Sequence, residues 1–413
     1  MPAHSSQSAA RLAARFGGPC LTLPRLVASR ALAQARRHAR RLARQLSRRL
    51  RASVALAMAA TMTLAPLEAI ACTSFTIRTN TKGVIYSRTM EFGFPLQSQT
   101  MFIPRKQEIV ATGNDAHPGA KWTTKYATIG MNAFGLKCLS DGMNEKGLAG
   151  GLLYFPDYAS YTPDADAGNR QVLAPWDLLT WALTNFANVA EVKAALSQIV
   201  VLGIKEPHLG FVPGVHYTLH DASGASIVIE PIDGQLKVYD NPYSVLTNSP
   251  PFAWHEMNLR NYVKLSPTQA PARVIAGQTI RPLGEGSGLL GIPGDTTPPS
   301  RFIRALGFSQ AAVPTDPGMP SVRLAEHILN NFDIPKGWAQ DPALKEASIE
   351  YTQWSVIADL QNLRYYLKTY EDPTLRELDF KQLDLDGKDI LLGPLHPAVV
   401  PPALTVSNKM AAN

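Results

Sequence analysis

Polar and apolar residues alternate directly after position 72. Residues 73–78 alternate, and after a glycine-containing turn residues 84–88 are again rich in β-forming side chains. Two such segments around a turn predict a β-hairpin. The hairpin would place Cys72 at the end of one strand and bring Arg88 and Glu91 back towards it on the partner strand.

Apolar residues at helical spacing appear further along the chain. Segment 175–183 shows this spacing, and Asn188 with Glu191 has the form of a capping box at the start of a second helix. Further elements are predicted as β-rich pieces at 101–155, 217–219, 226–230, 235–239, 351–358 and 364–370, and helices at 301–312 and 322–332.

Blocks of strands and helix pairs alternate without a regular βα rhythm, which favours an α+β fold built in layers. Residues 72–393 contain no internal repeat and no linker, so they predict a single domain. The tail 394–413 is proline-rich and then polar, and we expect it to be flexible.

Charge is distributed unevenly. The whole chain has a formal net charge of +7, but residues 1–71 contain twelve arginines and one acidic residue, Glu68, so the remainder is mildly acidic. A nucleic-acid-binding protein would carry its positive charge on the folded domain. The charge pattern therefore excludes nucleic acid as a partner of the folded part. A cationic nucleic-acid-binding or organelle-targeted protein would require that residues 1–51 are retained.

The N-terminal segment resembles an export signal. The apolar run 52–67 is too short to span a membrane, and Ala69-Ile70-Ala71 follows it as an A-x-A cleavage site. We expect residues 1–71 to be an arginine-rich extension plus signal peptide that is removed, leaving a periplasmic or secreted protein. The long arginine-rich part also fits a wrongly assigned start, a transit peptide or a twin-arginine signal.

Cleavage after Ala71 would leave Cys72 with both a thiol and a free α-amine. An α-amine with a pKa of about 7.7–8.0 can act as a base for a thiol with a pKa of about 8.5. The competing interpretation is a lipoprotein cysteine. A lipoprotein signal favours leucine three positions earlier, where this chain has Ala69.

Other motifs do not indicate cofactor chemistry. Gly286 to Gly291 matches G-x-G-x-x-G, but Pro293 follows where the dinucleotide fingerprint needs a helix. The histidines after residue 71 show no metal-ligand spacing, and no metal is expected. Cys138 is interpreted as a small core residue.

Four further residues have two interpretations each. Arg88 and Arg301 are either ordinary ion-paired arginines or cations that favour the thiolate of Cys72. Asn248 is either a turn residue or an oxyanion donor, and Tyr154 is either a core residue or part of a pocket wall. Spacing alone does not decide between them.

Separated motifs give the chain a resemblance to a known family. From Cys72 to about residue 390 it resembles the choloylglycine hydrolase and penicillin V acylase family of N-terminal-nucleophile amidases. The motifs that carry the resemblance are Cys72-Thr73, Arg88-Thr89-Met90-Glu91, Phe102-Ile103-Pro104-Arg105, the segment from Asp141 to Leu148, Leu246-Thr247-Asn248-Ser249-Pro250, and the segment from Gly294 to Phe302.

The resemblance implies an αββα sandwich, with two antiparallel sheets between helical layers, that hydrolyses a linear amide without metal or organic cofactor. It implies that Cys72 is the nucleophile and that Arg88 and Arg301 flank and acidify the thiol. Asn248 would orient the amine and stabilise the oxyanion, together with the backbone N–H of Tyr154.

Two positions depart from the family pattern. Glu91 stands where the family usually has an aspartate that holds the α-amine. Tyr154 stands where bile salt hydrolases commonly have asparagine and penicillin V acylases commonly have tyrosine.

The resemblance implies a small-molecule amide substrate with a bulky apolar acyl group and a small amine, such as a conjugated bile salt or penicillin V. An N-acyl homoserine lactone is an alternative substrate. A catalytically inactive cell-envelope binding protein or lipoprotein on the same scaffold is an alternative function. We expect no stable membrane span in the mature form, and the family resemblance implies a homo-oligomer, either dimer or tetramer.

Overall fold

The computed structural model describes residues 72–340 and 349–395, together with residues 397, 400 and 403. The expected extension 1–71 and most of the expected tail 394–413 lie outside the described residues. Among the described residues, no helix combines the length and the apolar character needed to cross a membrane.

The strands of the described residues are, in chain order, β1 (Cys72–Arg78), β2 (Val84–Phe92), β3 (Thr100–Ile103), β4 (Glu108–Val110), β5 (Lys121–Thr123), β6 (Thr128–Met131), β7 (Asp141–Asn144), β8 (Ala149–Tyr154), β9 (Gln171–Leu173), β10 (Ile199–Val201), β11 (Val215–His220), β12 (Ser226–Ile232), β13 (Gln235–Asp240), β14 (Val245–Leu246), β15 (Arg273–Ile275), β16 (Gln278–Ile280), β17 (Ala339–Gln340), β18 (Ile349–Asp359), β19 (Arg364–Thr369), β20 (Arg376–Asp379) and β21 (Leu391–Gly393). The α-helices are α1 (Leu178–Asn185), α2 (Val189–Ala195), α3 (Phe252–Asn258), α4 (Pro298–Ala311) and α5 (Met319–Leu329).

Two large antiparallel sheets form the centre. Sheet 1 has the order β14-β1-β2-β18-β19-β20, with β17 beside β18, and sheet 2 has the order β13-β12-β11-β8-β7-β6-β3-β21. Helices α4 and α5 pack on sheet 1, whereas α1 packs on β7 and β8 of sheet 2. Strands β1 and β2 contact β8, so the two sheets stack face to face between the helices. This arrangement is the αββα sandwich that the family resemblance implied, and it agrees with the layered α+β fold predicted from the pattern.

The hydrophobic core follows these layers. One cluster joins sheet 1 to its helices and to the inner face of sheet 2, and it includes Phe75, Phe302 and Trp354. A second cluster lies between sheet 2 and α1, with Leu179 and Tyr217 among its members. The nucleophile candidate therefore starts a strand that is buried on both faces.

The predicted hairpin is present as β1 and β2, and its register pairs Cys72 with Met90. The predicted cap is also confirmed, because the Asn188 side chain accepts a hydrogen bond of 2.9 Å from the backbone N–H of Glu191. Segment 286–291 contains only a short 3₁₀ turn, Ser287–Leu289, and opens no α-helix. Helix α3 and the pairs β9/β10 and β15/β16 were not predicted.

Candidate active site

Cys72 begins β1 and is buried, with 1% of its surface exposed. Its backbone N–H donates a hydrogen bond of 2.6 Å to Oδ1 of Asn248. Its Sγ lies 3.8 Å from Sδ of Met90, the residue paired with it across the hairpin. In the uncleaved chain this nitrogen is a peptide nitrogen, and it becomes an amine only after cleavage before residue 72.

Arg88 lies against the sulfur of Cys72. Its Nη2 is 3.6 Å from Sγ and donates to the carbonyl oxygen of Leu152 at 2.5 Å, while Nη1 donates to the carbonyl oxygen of Ser140 at 2.8 Å. Burial by itself lowers the pKa of this guanidinium, but Cys72 and Asp141 raise it above its usual value. A permanent cation next to the thiol favours the thiolate.

Asp141, at the start of β7, is the buried counter-charge of Arg88. The distance from its Oδ2 to Nη1 of Arg88 is 3.4 Å. Its two oxygens also accept hydrogen bonds of 2.6 Å from the Tyr86 hydroxyl and 2.7 Å from the Tyr365 hydroxyl. Burial raises the pKa of Asp141 to about 6, although Arg88 and the tyrosines act in the opposite direction.

Asn248 reaches Cys72 because β14 pairs with β1, which carries the residues after Leu246 alongside the start of β1. Its Oδ1 accepts from Nη2 of Arg301 at 2.7 Å as well as from Cys72. Arg301, on α4, also donates through Nη1 to the carbonyl oxygen of Cys72 and to Oγ1 of Thr73. Arg301 therefore holds the amide and the backbone of the nucleophile candidate.

The backbone of Tyr154, the last residue of β8, points towards the side chain of Asn248. It pairs with Val215, whose N–H donates to the Tyr161 hydroxyl at 3.0 Å and not to Tyr154. In such a non-hydrogen-bonded pair the backbone groups point away from the partner strand. The carbonyl oxygen of Tyr154 accepts from Nδ2 of Asn248 at 2.9 Å, and its N–H faces the same side.

Glu91 lies on the opposite side of β2 from Arg88, because successive strand residues alternate between faces. Its Oε1 accepts a hydrogen bond of 2.7 Å from Thr352. Burial raises its pKa to about 8, and the charge of Arg301 opposes this shift. In the uncleaved chain the single N–H of Cys72 donates to Asn248, and Oε2 of Glu91 is buried without a hydrogen-bond partner among the described residues.

Cys72, Arg88 and Tyr154 open onto a largely apolar cavity. Its volume is about 720 Å³, including the part open to solvent. The apolar side chains that line it are those of Met90, Phe92, Leu96, Ala133, Phe134, Leu136, Leu139, Leu152, Trp176, Leu209, Pro213 and Val215. Such a cavity can hold a bulky apolar group next to Sγ.

Cys138 also lines this cavity, and both described cysteines are free thiols. Burial raises the pKa of Cys138 far above that of an ordinary thiol, with Asp177 and Glu206 acting in the same direction. Its thiolate is therefore strongly disfavoured, which leaves Cys72 as the better nucleophile.

A family model for linear amide C–N hydrolases of the choloylglycine hydrolase family matches residues 72–393. The chain belongs to the choloylglycine hydrolase family. The bile salt hydrolase/transferase of Clostridium perfringens is 36% identical over 325 residues, which are 77% of this chain and 95% of that protein. The penicillin V acylase of Pectobacterium atrosepticum is 26% identical over 346 residues, covering 78% of this chain and 84% of that protein.

A solved structure agrees with these sequence relatives. A variant of the conjugated bile acid hydrolase from Clostridium perfringens superposes with a TM-score of 0.71 at 32% identity, covering 80% of this chain and 99% of that chain. The resemblance predicted from the sequence is thus confirmed. As a choloylglycine hydrolase family member, the chain is a cysteine amidohydrolase of the N-terminal-nucleophile class that acts on linear amides.

The structure brings together Cys72, Arg88, Asn248, Arg301 and the backbone of Tyr154. Glu91 accepts a hydrogen bond from Thr352 and interacts with the charge of Arg301. Sequence reasoning gave no role to Asp141, although that residue begins one of the motifs that carry the family resemblance. The signal that would have identified Asp141 is its contact with Arg88 across the two sheets, which local spacing does not reveal.

Proposed function

We propose that this choloylglycine hydrolase family member is an exported amidase with Cys72 as nucleophile and the α-amine of Cys72 as general base. The observation that supports the proposal most is the placement of this one residue. Its nitrogen is hydrogen-bonded to Oδ1 of Asn248, and its Sγ lies 3.6 Å from Nη2 of Arg88 beside an apolar cavity. Attacker and base then belong to the same residue, so no histidine is required.

In the first step the α-amine takes the proton from the Cys72 thiol, and the sulfur forms a bond to the amide carbonyl carbon. The carbonyl π electrons move onto oxygen. The second hydrogen on Nδ2 of Asn248 and the N–H of Tyr154 donate to this oxyanion. Oδ1 of Asn248 is already held by two donors, which fixes the direction in which Nδ2 points.

In the second step the oxyanion collapses and the C–N bond breaks. The departing amine takes the proton from the ammonium group of Cys72, which leaves a thioester on Sγ. Water then attacks the thioester, the amine accepts a proton from that water, and the C–S bond breaks. The ammonium returns that proton to the departing sulfur, so the acid is released and the thiol and amine are restored.

The substrate that we propose joins a bulky apolar acyl group to a small polar amine. The apolar cavity supports this class, because it can accept the acyl group next to Sγ. The higher identity to a bile salt hydrolase favours a conjugated bile salt, whereas Tyr154 favours a penicillin V type of substrate.

The mechanism is tested with Cys72→Ala, and Cys138→Ala is the matched control, since both remove a buried thiol beside the cavity. We expect Cys72→Ala to abolish turnover while the protein stays folded. Cys138→Ala should retain turnover. Near wild-type turnover in Cys72→Ala would contradict the proposed mechanism.

The substrate is tested by measuring kcat/KM side by side for glycine-conjugated cholate, penicillin V and an N-acyl homoserine lactone. A preference of at least tenfold, equivalent to about 1.4 kcal/mol in the barrier, identifies the substrate class. No turnover of any of the three would contradict the proposed acyl and amine pattern.

We further propose that removal of residues 1–71 accompanies export, on the basis of the arginine-rich start, the apolar run and the A-x-A site. Mass spectrometry of the mature protein tests this proposal. A free Cys72 at the N-terminus agrees with it. A lipid-modified Cys72 would indicate the lipoprotein alternative, because the amine or thiol would then be blocked.

A further inference from the structure

A buried histidine and glutamate lie behind Asn248 and take no part in the steps above. His216 on β11 and Glu230 on β12 belong to neighbouring strands of sheet 2, and both are fully buried. Nδ1 of His216 is 3.1 Å from Oε1 of Glu230, and Nε2 is 2.8 Å from the carbonyl oxygen of Thr247. The imidazole therefore binds the backbone immediately before Asn248.

The same glutamate also binds the chain after Asn248. Oε1 of Glu230 accepts a hydrogen bond of 2.9 Å from the backbone N–H of Phe252. His216 and Glu230 thus contact both ends of segment 247–252. Two residues of sheet 2 thereby fix a segment that leaves sheet 1 at β14.

The ring of His216 also supports the second proposed oxyanion donor. It stacks on Phe155 with a centroid distance of 4.4 Å and an interplanar angle of 8°. Phe155 directly follows Tyr154, whose N–H is the other donor. One imidazole is therefore in contact with the neighbour of each donor.

Both ring nitrogens face acceptors. The Thr247 carbonyl has no hydrogen to give, so Nε2 of His216 must donate. Nδ1 lies 3.1 Å from the carboxylate oxygen of Glu230, so each ring nitrogen has a polar partner. This pair is expected to keep one orientation, because any rotation of the imidazole would leave a buried polar group without a partner.

We propose that His216 and Glu230 are positioning residues that hold segment 247–252, so that Asn248 and the Tyr154 N–H converge on the oxyanion. This inference rests on the proposed oxyanion role of those two donors. It assigns a function to a buried pair whose hydrogen bonds run to Thr247 and Phe252, on either side of Asn248. A purely structural pair would affect stability but not the stabilisation of the transition state.

The test uses His216→Phe, which keeps the stack on Phe155 and removes both hydrogen bonds. Tyr217→Phe is the matched control. Tyr217 is the next residue of β11, is equally buried, and donates a hydrogen bond of 2.6 Å to the Pro175 carbonyl from the opposite face of the strand. Each substitution removes buried hydrogen bonding, but only His216→Phe removes a hydrogen bond to segment 247–252.

Two rates are measured for each protein. The first is kcat and KM for glycine-conjugated cholate or, if that is the better substrate, penicillin V. The second is the rate at which iodoacetamide alkylates Cys72. Alkylation needs the thiolate but forms no oxyanion, so it reports on the nucleophile alone.

We expect His216→Phe to lower kcat by a factor on the order of 10², as when an oxyanion donor is lost, with KM changed by less than about threefold. Alkylation should stay within about twofold of wild type, because the nucleophile is untouched. Tyr217→Phe should leave both rates near wild type. Equal kcat values in the two variants, or a parallel loss of alkylation in His216→Phe, would overturn the proposal.

Glu230→Gln provides a second variant if His216→Phe does not fold. Glutamine keeps an oxygen that can accept from Phe252 but replaces the carboxylate that faces Nδ1 of His216 with a neutral amide. We expect kcat to fall about tenfold with alkylation unchanged. An unchanged kcat in Glu230→Gln would overturn the proposal, whereas a wild-type protein that cleaves no amide would contradict the proposed function itself.

Discussion

The guanidinium of Arg88 lies between the sulfur of Cys72 and the carboxylate of Asp141. It lies 3.6 Å from Sγ of Cys72 on one side and 3.4 Å from the carboxylate of Asp141 on the other. Asp141 keeps the buried guanidinium paired, but its negative charge also offsets the field that Arg88 exerts on the sulfur. The reactivity of Cys72 and the stability of the core are therefore linked through one side chain.

Arg88→Met separates these two effects. Loss of the cation should slow alkylation of Cys72 at pH 7 about tenfold, because a cation beside the sulfur favours the thiolate that attacks. The substitution should also lower the free energy of unfolding by about 3–5 kcal/mol, because the buried carboxylate of Asp141 loses its cation. Iodoacetamide kinetics and urea unfolding measure the two quantities.

Two further proteins complete that experiment. The double variant Arg88→Met/Asp141→Asn should recover most of the lost stability but not the alkylation rate. Arg78→Met removes an exposed arginine at the other end of β1 and should leave alkylation unchanged. An alkylation rate in Arg88→Met equal to that of Arg78→Met would contradict a role for Arg88 in activating the thiol.

Glu91 predicts a pH dependence of stability. Burial raises its pKa to about 8, above the value of about 4.3 expected in the unfolded chain. Between these values the folded protein holds a proton that the unfolded chain has released, so Glu91 contributes stability at low pH that is lost as pH rises towards 8. Glu91→Gln removes this titration while its amide oxygen can still accept from Thr352.

We therefore expect the difference in unfolding free energy between Glu91→Gln and wild type to shift in favour of the variant from pH 5 to pH 8. Urea unfolding at intervals across this range measures the difference. Asp141 titrates in both proteins and cancels in the comparison. Parallel pH profiles for the two proteins would show that Glu91 does not titrate as a buried acid.

At the level of elements, β8 depends on a glycine beside the buried charges. A Cβ on Gly151 would lie 2.7 Å from Oδ2 of Asp141, 2.9 Å from the Tyr86 hydroxyl and 3.0 Å from Cδ of Arg88. These atoms are fixed by buried hydrogen bonds. The strand can therefore approach the buried cluster of Tyr86, Arg88 and Asp141, which spans both sheets, only without a side chain at this position.

Gly151→Ala should cost about 1–3 kcal/mol of stability through overpacking, and it should lower kcat because Arg88 is displaced. The matched control is Gly203→Ala, whose Cβ would meet its nearest neighbours at an ordinary 3.6 Å. That variant should keep wild-type kcat. Thermal unfolding and kcat are measured for both proteins. A Gly151→Ala protein with wild-type kcat would show that the buried cluster accommodates the Cβ without displacing Arg88.

At the level of the whole molecule, the sequence predicted what depends on near neighbours and on matching motifs. The hairpin β1/β2 and the cap of α2 were predicted because each uses residues close in sequence. The αββα fold and the convergence on Cys72 followed from the family resemblance. The role of Asp141 could not be predicted in this way, because its partner Tyr365 lies 224 positions away in sequence and on the other sheet.

The position of Glu91 was also beyond pattern analysis. Every residue of β2 is buried, so the strand lacks the alternation of polar and apolar residues that distinguishes one face from the other. The hydrogen bonds of His216 and Glu230 to segment 247–252 likewise arise from packing between the sheets. Stacking of the sheets creates these contacts, whereas local propensity determines the strands themselves.

Cleavage before Cys72 would change the chemistry of the Cys72 nitrogen. The Cys72 nitrogen already lies 2.6 Å from Oδ1 of Asn248 in the uncleaved chain. A peptide nitrogen shares its lone pair with the carbonyl group and cannot accept a proton, whereas a free amine at the same place can. Cleavage would therefore create the base with little change in the surrounding hydrogen bonds.

We compare a protein that begins at Cys72 with one that retains Ala71, after confirming both N-termini by mass spectrometry. Retention of Ala71 should lower kcat at least 10²-fold, the contribution expected of a general base, and leave the melting temperature nearly unchanged. The Cys72→Ala form of each protein serves as the inactive reference. Equal turnover by the two proteins would mean that the base is another group, because a peptide nitrogen cannot serve as one.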